Sequence, residues 1–182
     1  MLKPVFLSAA LLALSPMVFA DTSHGPSAEA LVAEAAVEIT QADRETVADA
    51  VLSHLDIDTV ARFTLGRYVR DVSEEAQADY TAAFERYMRR QIVANADQFV
   101  GVELAVTNTN QRNAKDAIVT TRVSKAGENL ILRWRVIERG GQWNVVDLEF
   151  SGLWLAIEQR AQVSAILGRP NADIQDVIAQ FG

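Results

Sequence analysis

The hydrophobic period of this chain changes from helical to two at Gly101. Before it, apolar residues recur at helical spacing. From Val102 to Ser151 they alternate with period two, the pattern of half-buried strands. Val102, Leu104 and Val106 alternate with Glu103, Ala105 and Thr107. A polar turn is expected over Asn108 to Lys115, then a strand from Asp116 to Ser124 and a second turn over Ala126-Gly127-Glu128-Asn129. Leu130, Leu132, Trp134 and Val136 next alternate with Ile131, Arg133, Arg135 and Ile137. Gly140-Gly141 signals a tight hairpin. In the strand after it, Gln142 to Ser151, Val146, Leu148 and Phe150 should share one face. Trp143, Val145, Asp147 and Glu149 should share the other. Four strands on short turns make an antiparallel meander.

Helices flank the meander. Ala28 to Leu55 reads as two helices broken near Thr40 to Asp43, with Leu31, Ala35 and Ile39 on one face and Val47, Val51 and Leu55 on another. Asp56 or Asp58 can cap a short helix, Thr59 to Leu65, ended by Gly66. Ser73 with Glu74 and Glu75 starts a long amphipathic helix expected to reach Phe99. Tyr80, Phe84, Tyr87, Met88, Gln91, Ile92 and Asn95 fall on its one face. Leu153 to Leu167 and Ala172 to Gln180 are the last helices. The order predicts an α+β fold: helices packed on one face of a curved four-stranded antiparallel meander, with room for an apolar cavity between them.

The first twenty residues predict an exported protein. Lys3 precedes a ten-residue apolar run, Val5 to Leu14; Pro16 breaks it, and Val18-Phe19-Ala20 fits a signal-peptidase site. The run is too short to span a bilayer, which takes about 20 residues. Residues 1–20 are therefore expected as a cleaved signal peptide, 21–27 as a flexible leader and 28–182 as a single domain. Cleavage leaves 162 residues. It removes one of 17 basic residues and none of the 24 acidic ones, for a net charge of −8. Such a protein is not drawn to nucleic acid or to anionic bilayers. With no cysteine it needs neither disulfides nor a lipid anchor at its N-terminus, and thiol chemistry is excluded.

Catalytic signatures are scarce. The two histidines, His24 and His54, sit in no metal-binding spacing, and no GxSxG, P-loop or GxGxxG occurs. Asp56-Ile57-Asp58 lacks the glycine and glutamate of a calcium loop. Asp147 and Glu149 could act as a carboxylate pair in acid–base chemistry; the plainer reading is a solvent face where they balance Arg133 and Arg135 across the hairpin. Arg62, Arg67, Arg70, Arg86, Arg89 and Arg90 are either a basic patch or ordinary solvated side chains. The large apolar residues Phe63, Tyr80, Phe84, Tyr87, Met88, Trp134, Phe150 and Trp154 serve a core, or a core with a ligand cavity.

Two segments carry a resemblance. The first is Phe63-Thr64-Leu65-Gly66-Arg67-Tyr68 with Tyr80-Thr81-Ala82-Ala83-Phe84. The second runs through Trp134-Arg135-Val136-Ile137, Gly141 to Leu148, Gly152-Leu153-Trp154-Leu155 and Gln159-Arg160. In order and spacing they resemble the MlaC family, the periplasmic component of the Mla phospholipid transport system, over roughly Ala28 to Gln180. The chain departs from the family's usual residues at Val69, Trp154, Gln159 and Val163; the bulky Trp154, at the junction of sheet and helix, would narrow a cavity.

The resemblance implies a periplasmic phospholipid shuttle, not an enzyme. It would carry lipid between an outer-membrane lipoprotein/porin complex and an inner-membrane ABC transporter with a substrate-binding ring, and so maintain outer-membrane lipid asymmetry. It implies no cofactor or metal beyond the bound phospholipid, and no nucleic acid partner. With the strand faces above, it predicts a lipid cavity lined by Phe84, Met88, Leu132, Trp134, Val146, Leu148 and Leu153. Two alternatives remain at this point: a carrier of another apolar lipid such as a hopanoid, and a small-molecule enzyme using Asp147.

Overall fold

The computed structural model describes residues 27–181. The signal peptide and nearly all of the leader lie outside the described residues. Helix α1, Ala28–Gln41, is capped by Ser27, whose hydroxyl accepts the Ala30 N–H, and α2 spans Val47–Leu52. The cap of α3, Ile57–Leu65, is Asp56 rather than Asp58, and accepts the Thr59 N–H at 2.9 Å. Gly66 ends α3 at φ +57°, and a 3-10 turn, Gly66–Arg70, leads to the long helix.

Helix α4, Glu74–Ala94, starts at Ser73 as expected but stops short of Phe99. Asn95 interrupts it at φ −112°, its side-chain amide donating to the Gln91 carbonyl, and only one further turn, α5 Ala96–Phe99, follows. Asparagine competes for backbone hydrogen bonds in this way, which weakens a helix. Two shorter helices close the described chain: α6, Leu155–Leu167, and α7, Ile174–Gln180, whose start is a capping box between Asp173 and Asp176.

The sheet is antiparallel with strands in sequence order: β1 Glu103–Asn113, β2 Asp116–Lys125, β3 Glu128–Arg139, β4 Gln142–Phe150 and β5 Leu153–Trp154. Three of its hairpins, at Ala126-Gly127, Gly140-Gly141 and Ser151-Gly152, carry positive φ at both loop positions. That geometry matches the twist of the flanking strands. The α+β class and the meander hold, with three differences from the sequence reading. The polar stretch from Asn108 to Asn113 pairs with β2 instead of turning, because backbone pairing does not need apolar side chains. Leu153-Trp154, expected to open a helix, folds back as β5 against Glu149-Phe150 through the Ser151-Gly152 turn.

The third difference is the register. Trp134 faces Leu148 and Arg135 faces Asp147, but Val136 faces Val145: β4 has one extra residue there, a β-bulge at Val146. Beyond the bulge every side chain changes sides. Trp143 and Val145, expected opposite Leu148, instead share its face, and Val145 is fully buried. The bulge also shapes the free edge of β4. Asp56 donates its N–H to the Val145 carbonyl at one end, β5 pairs with the other, and residues 146–148 lie between.

Two apolar cores result. One joins α1, α2 and the end of α4 to the inner sheet face through Val32, Ile39, Val47, Val119, Trp134, Val136 and Val145. The other lies among α3, α4, α6 and α7, built on Val60, Leu65, Tyr80, Phe84, Val163, Val177 and Phe181. Phe181 completes the aromatic stripe read on α4: its ring lies 5.6 Å from that of Tyr80, 5.8 Å from Phe84 and 4.9 Å from Tyr87. Full burial of such a side chain contributes about 1.5–3 kcal/mol. The Tyr80 hydroxyl, hydrogen-bonded to Thr64 at 2.7 Å, is pushed by burial to a pKa of about 12.

Candidate functional site: an apolar groove beside a strand bulge

An apolar groove of about 480 Å³ opens where the two cores meet. Helix α4 supplies Phe84, Tyr87, Met88 and Ile92 and α5 supplies Phe99; the α2–α3 side adds Leu55, Ile57 and Val60; β4 adds Val146 and Leu148; α6 adds Leu155 and Ala156. The polar lining is mostly amides, Gln91, Asn95 and Gln98 on the α4–α5 side and Gln159 and Gln162 on α6, joined by the carboxylates of Asp147 and Glu158. Apolar walls under a thin polar rim are the usual make-up of a ligand pocket, and the volume falls within the usual ~300–1,000 Å³.

Four of the seven expected lining residues stand in this groove: Phe84, Met88, Val146 and Leu148. Leu132, Trp134 and Leu153 stand elsewhere. Trp134 is 2 % exposed in the sheet–helix core, its indole N–H donating to the Thr121 hydroxyl at 2.9 Å. Leu132 packs partly buried against the same core. Leu153 is 55 % exposed on β5. Trp154 shares the opposite face with Glu149 and is absent from the groove lining. The reading from faces missed Leu155. With Gln159 and Gln162 it keeps the i, i+4, i+7 spacing of one helix face, a signal present in the sequence.

Asp147 and Glu149 lie opposite Arg135 and Arg133, as cross-strand balance requires. Glu149 and Arg133 form an ion pair at 2.5 Å. Neither carboxylate lies on a solvent face, however: each residue is 7 % exposed. The expected solvent exposure fails because β5 and α6 return across the β4 edge. Asp147 Oδ1 accepts the Leu148 N–H at 2.8 Å and the Ala156 N–H at 2.9 Å. Trp154, the N-cap of α6, has no side chain able to cap it, so Asp147 does so from the neighbouring strand. Burial raises the pKa of this carboxyl; the N–H groups of Ala156 and Leu148, and then Arg135, oppose the shift.

A second cavity, of about 540 Å³, lies on the other side of the same bulge. Val146 and Asp147 line both cavities; here they meet Thr59, Arg62 and Phe63 of α3 and Arg135, Ile137 and Arg139 of β3. The six arginines read as a possible patch are divided. Arg62 lines this cavity, Arg89 is paired with Asp49 at 2.6 Å, and Arg67 stacks on Tyr68. His54 pairs with Glu38. Among the described residues no group of His, Asp and Glu is arranged to hold a metal ion, and no helix is long and apolar enough to cross a membrane.

The two motif segments touch. The Arg160 guanidinium lies 5.1 Å over the Phe63 ring, and a Cβ on Gly66 would sit 2.7 Å from Arg160 Nε. Close approach and positive φ together explain the glycine.

No curated protein matches the sequence. In structure, the fold resembles a phospholipid-binding protein of Ralstonia solanacearum solved in complex with a phospholipid: TM-score 0.70, 18 % identity, 83 % of this chain and 90 % of that one covered. The family profile described as MlaC protein matches residues 29–182, all but the N-terminal segment, and the chain therefore belongs to the MlaC family.

Proposed function

We propose that this protein is a periplasmic phospholipid carrier, holding acyl tail in the groove between α4, β4 and α6. The observation that carries the reading is the groove itself: twelve apolar or aromatic side chains around about 480 Å³ with a mostly amide rim, in a chain of the MlaC family. Each methylene kept from water is worth about 0.8 kcal/mol, so a lipid tail cannot cross an aqueous space uncovered. A dry apolar groove offers it nearly what a bilayer does, which keeps loading and unloading close to balance and reversible. The phospholipid bound by the Ralstonia solanacearum protein supports the same class of ligand here.

Family membership further supports transfer between an outer-membrane lipoprotein/porin complex and an inner-membrane ABC transporter bearing a substrate-binding ring, to maintain outer-membrane lipid asymmetry. The leader ending Val18-Phe19-Ala20 supports export, with mature protein starting at Asp21. Protein purified gently from the periplasmic fraction should show the intact mass of the chain from Asp21, and organic extraction should release near-stoichiometric diacyl phospholipid. A lipid-free spectrum with no uptake from liposomes would overturn the carrier reading. An extracted hopanoid would redirect it to another lipid.

A further inference from the structure

We propose that the second cavity is a phosphate site, receiving the phosphate of a phospholipid whose tail occupies the adjoining groove. The inference rests on the carrier reading and extends it to the headgroup. The chain carries a formal net charge of −7, yet Arg62, Arg135 and Arg139 line one cavity of about 540 Å³. Asp116 Oδ1 and Arg135 Nε, members of one ion pair, are buried without a hydrogen-bond partner, but each nearby carboxylate has partners of its own. Asp147 Oδ1 accepts two backbone N–H groups. Asp116 Oδ2 is shared by two guanidiniums, Arg112 and Arg135, each at 3.2 Å, so one negative charge serves two positive ones. Asp56 approaches Arg139 only to 3.9 Å and spends its oxygens on Thr59.

Donor capacity is left over. Arg62 has no carboxylate partner among the described residues, and Arg139 keeps only the distant Asp56 and the Thr59 hydroxyl. Guanidinium forks match phosphate oxygens, and such charge-assisted bonds are the strong ones. The location agrees with the tail site, because Val146 and Asp147 form a wall of both cavities. A lipid seated beside the bulge would have apolar side chains on one side of it and arginines on the other.

The test compares phosphatidylglycerol with diacylglycerol of identical tails, both delivered from cyclodextrin to the purified protein. The unmodified protein should prefer the phosphate-bearing lipid. Arg62→Gln with Arg139→Gln should cut that preference roughly tenfold or more, the scale of a lost charged hydrogen bond, and leave diacylglycerol uptake unchanged. Arg90→Gln, outside both cavities, should alter neither. No preference in the unmodified protein, or a preference that the double variant retains, overturns the proposal. Uptake of neither lipid would instead defeat the carrier reading. In that case titration with glycerol 3-phosphate and inorganic phosphate, followed by amide NMR at Thr59–Phe63, decides the site. Shifts lost in the double variant mean a site for a free phosphate, and their absence means none.

Discussion

Asp147 of β4 accepts the backbone N–H of Ala156, 2.9 Å away in the first turn of α6. The bond closes the loop through β5 and ties the strand bulge to the helix that forms one wall of the groove. It answers how α6 starts without a capping side chain at Trp154.

Asp147→Ala should therefore cost about 1–2 kcal/mol in urea unfolding, the loss of a helix cap at a buried site. Asp147→Asn keeps an acceptor at the same place and should cost clearly less, with lipid retention unchanged. The pH dependence has a definite sign. The folded carboxyl has a pKa raised above the ordinary 3.8, so the folded state holds this proton more tightly than the unfolded one. Its contribution is fully present below pH 3.8 and is lost as pH rises through the raised folded value. Between those limits the native protein should lose stability relative to Asp147→Asn as pH rises; a parallel pair of curves would refute this.

The groove and the sheet tip make different predictions for two exposed leucines. Leu155 is 45 % exposed and lines the groove, while Leu153 is 55 % exposed and does not. Leu155→Asp should abolish lipid retention with little loss of fold, because an ion in an apolar tail site has no partner. Leu153→Asp should retain lipid. Extraction and mass spectrometry read both, with circular dichroism to establish folding.

Trp134 should behave as a core residue. Trp134→Phe removes its bond to Thr121 and part of a buried ring system, and should destabilise the protein by about 1–3 kcal/mol. The folded fraction should carry lipid as before. Loss of lipid at unchanged stability would return Trp134 to the binding site.

Gly66→Ala combines positive φ with a Cβ that would lie 2.7 Å from Arg160 Nε. The arginine is flexible enough to move, so the backbone term dominates and the cost should be about 1–2 kcal/mol. Adding Arg160→Ala should not restore stability; full rescue would show that contact, not conformation, requires the glycine.

The elements were legible in the sequence because their signals are local. The change of period at Gly101 marked the sheet, Ser73 marked one helix start and the Asp56–Asp58 pair another, and Gly140-Gly141 marked a hairpin, each through conformations that neighbouring residues dictate. The paired faces of Arg133 with Glu149 and Trp134 with Leu148 were legible for the same reason. Tertiary structure alone decided the rest. Alternation tells which side chains share a face, but not where one extra residue slips the register, and the bulge at Val146 moved Trp143 and Val145 across the sheet. Nor does it tell which part of a face a helix covers: α1 and α2 seal Trp134 into the core, while the return of α6 buries Asp147 and brings Leu155 to the groove. Those outcomes depend on contacts between segments far apart in the chain, for which no local pattern carries a signal.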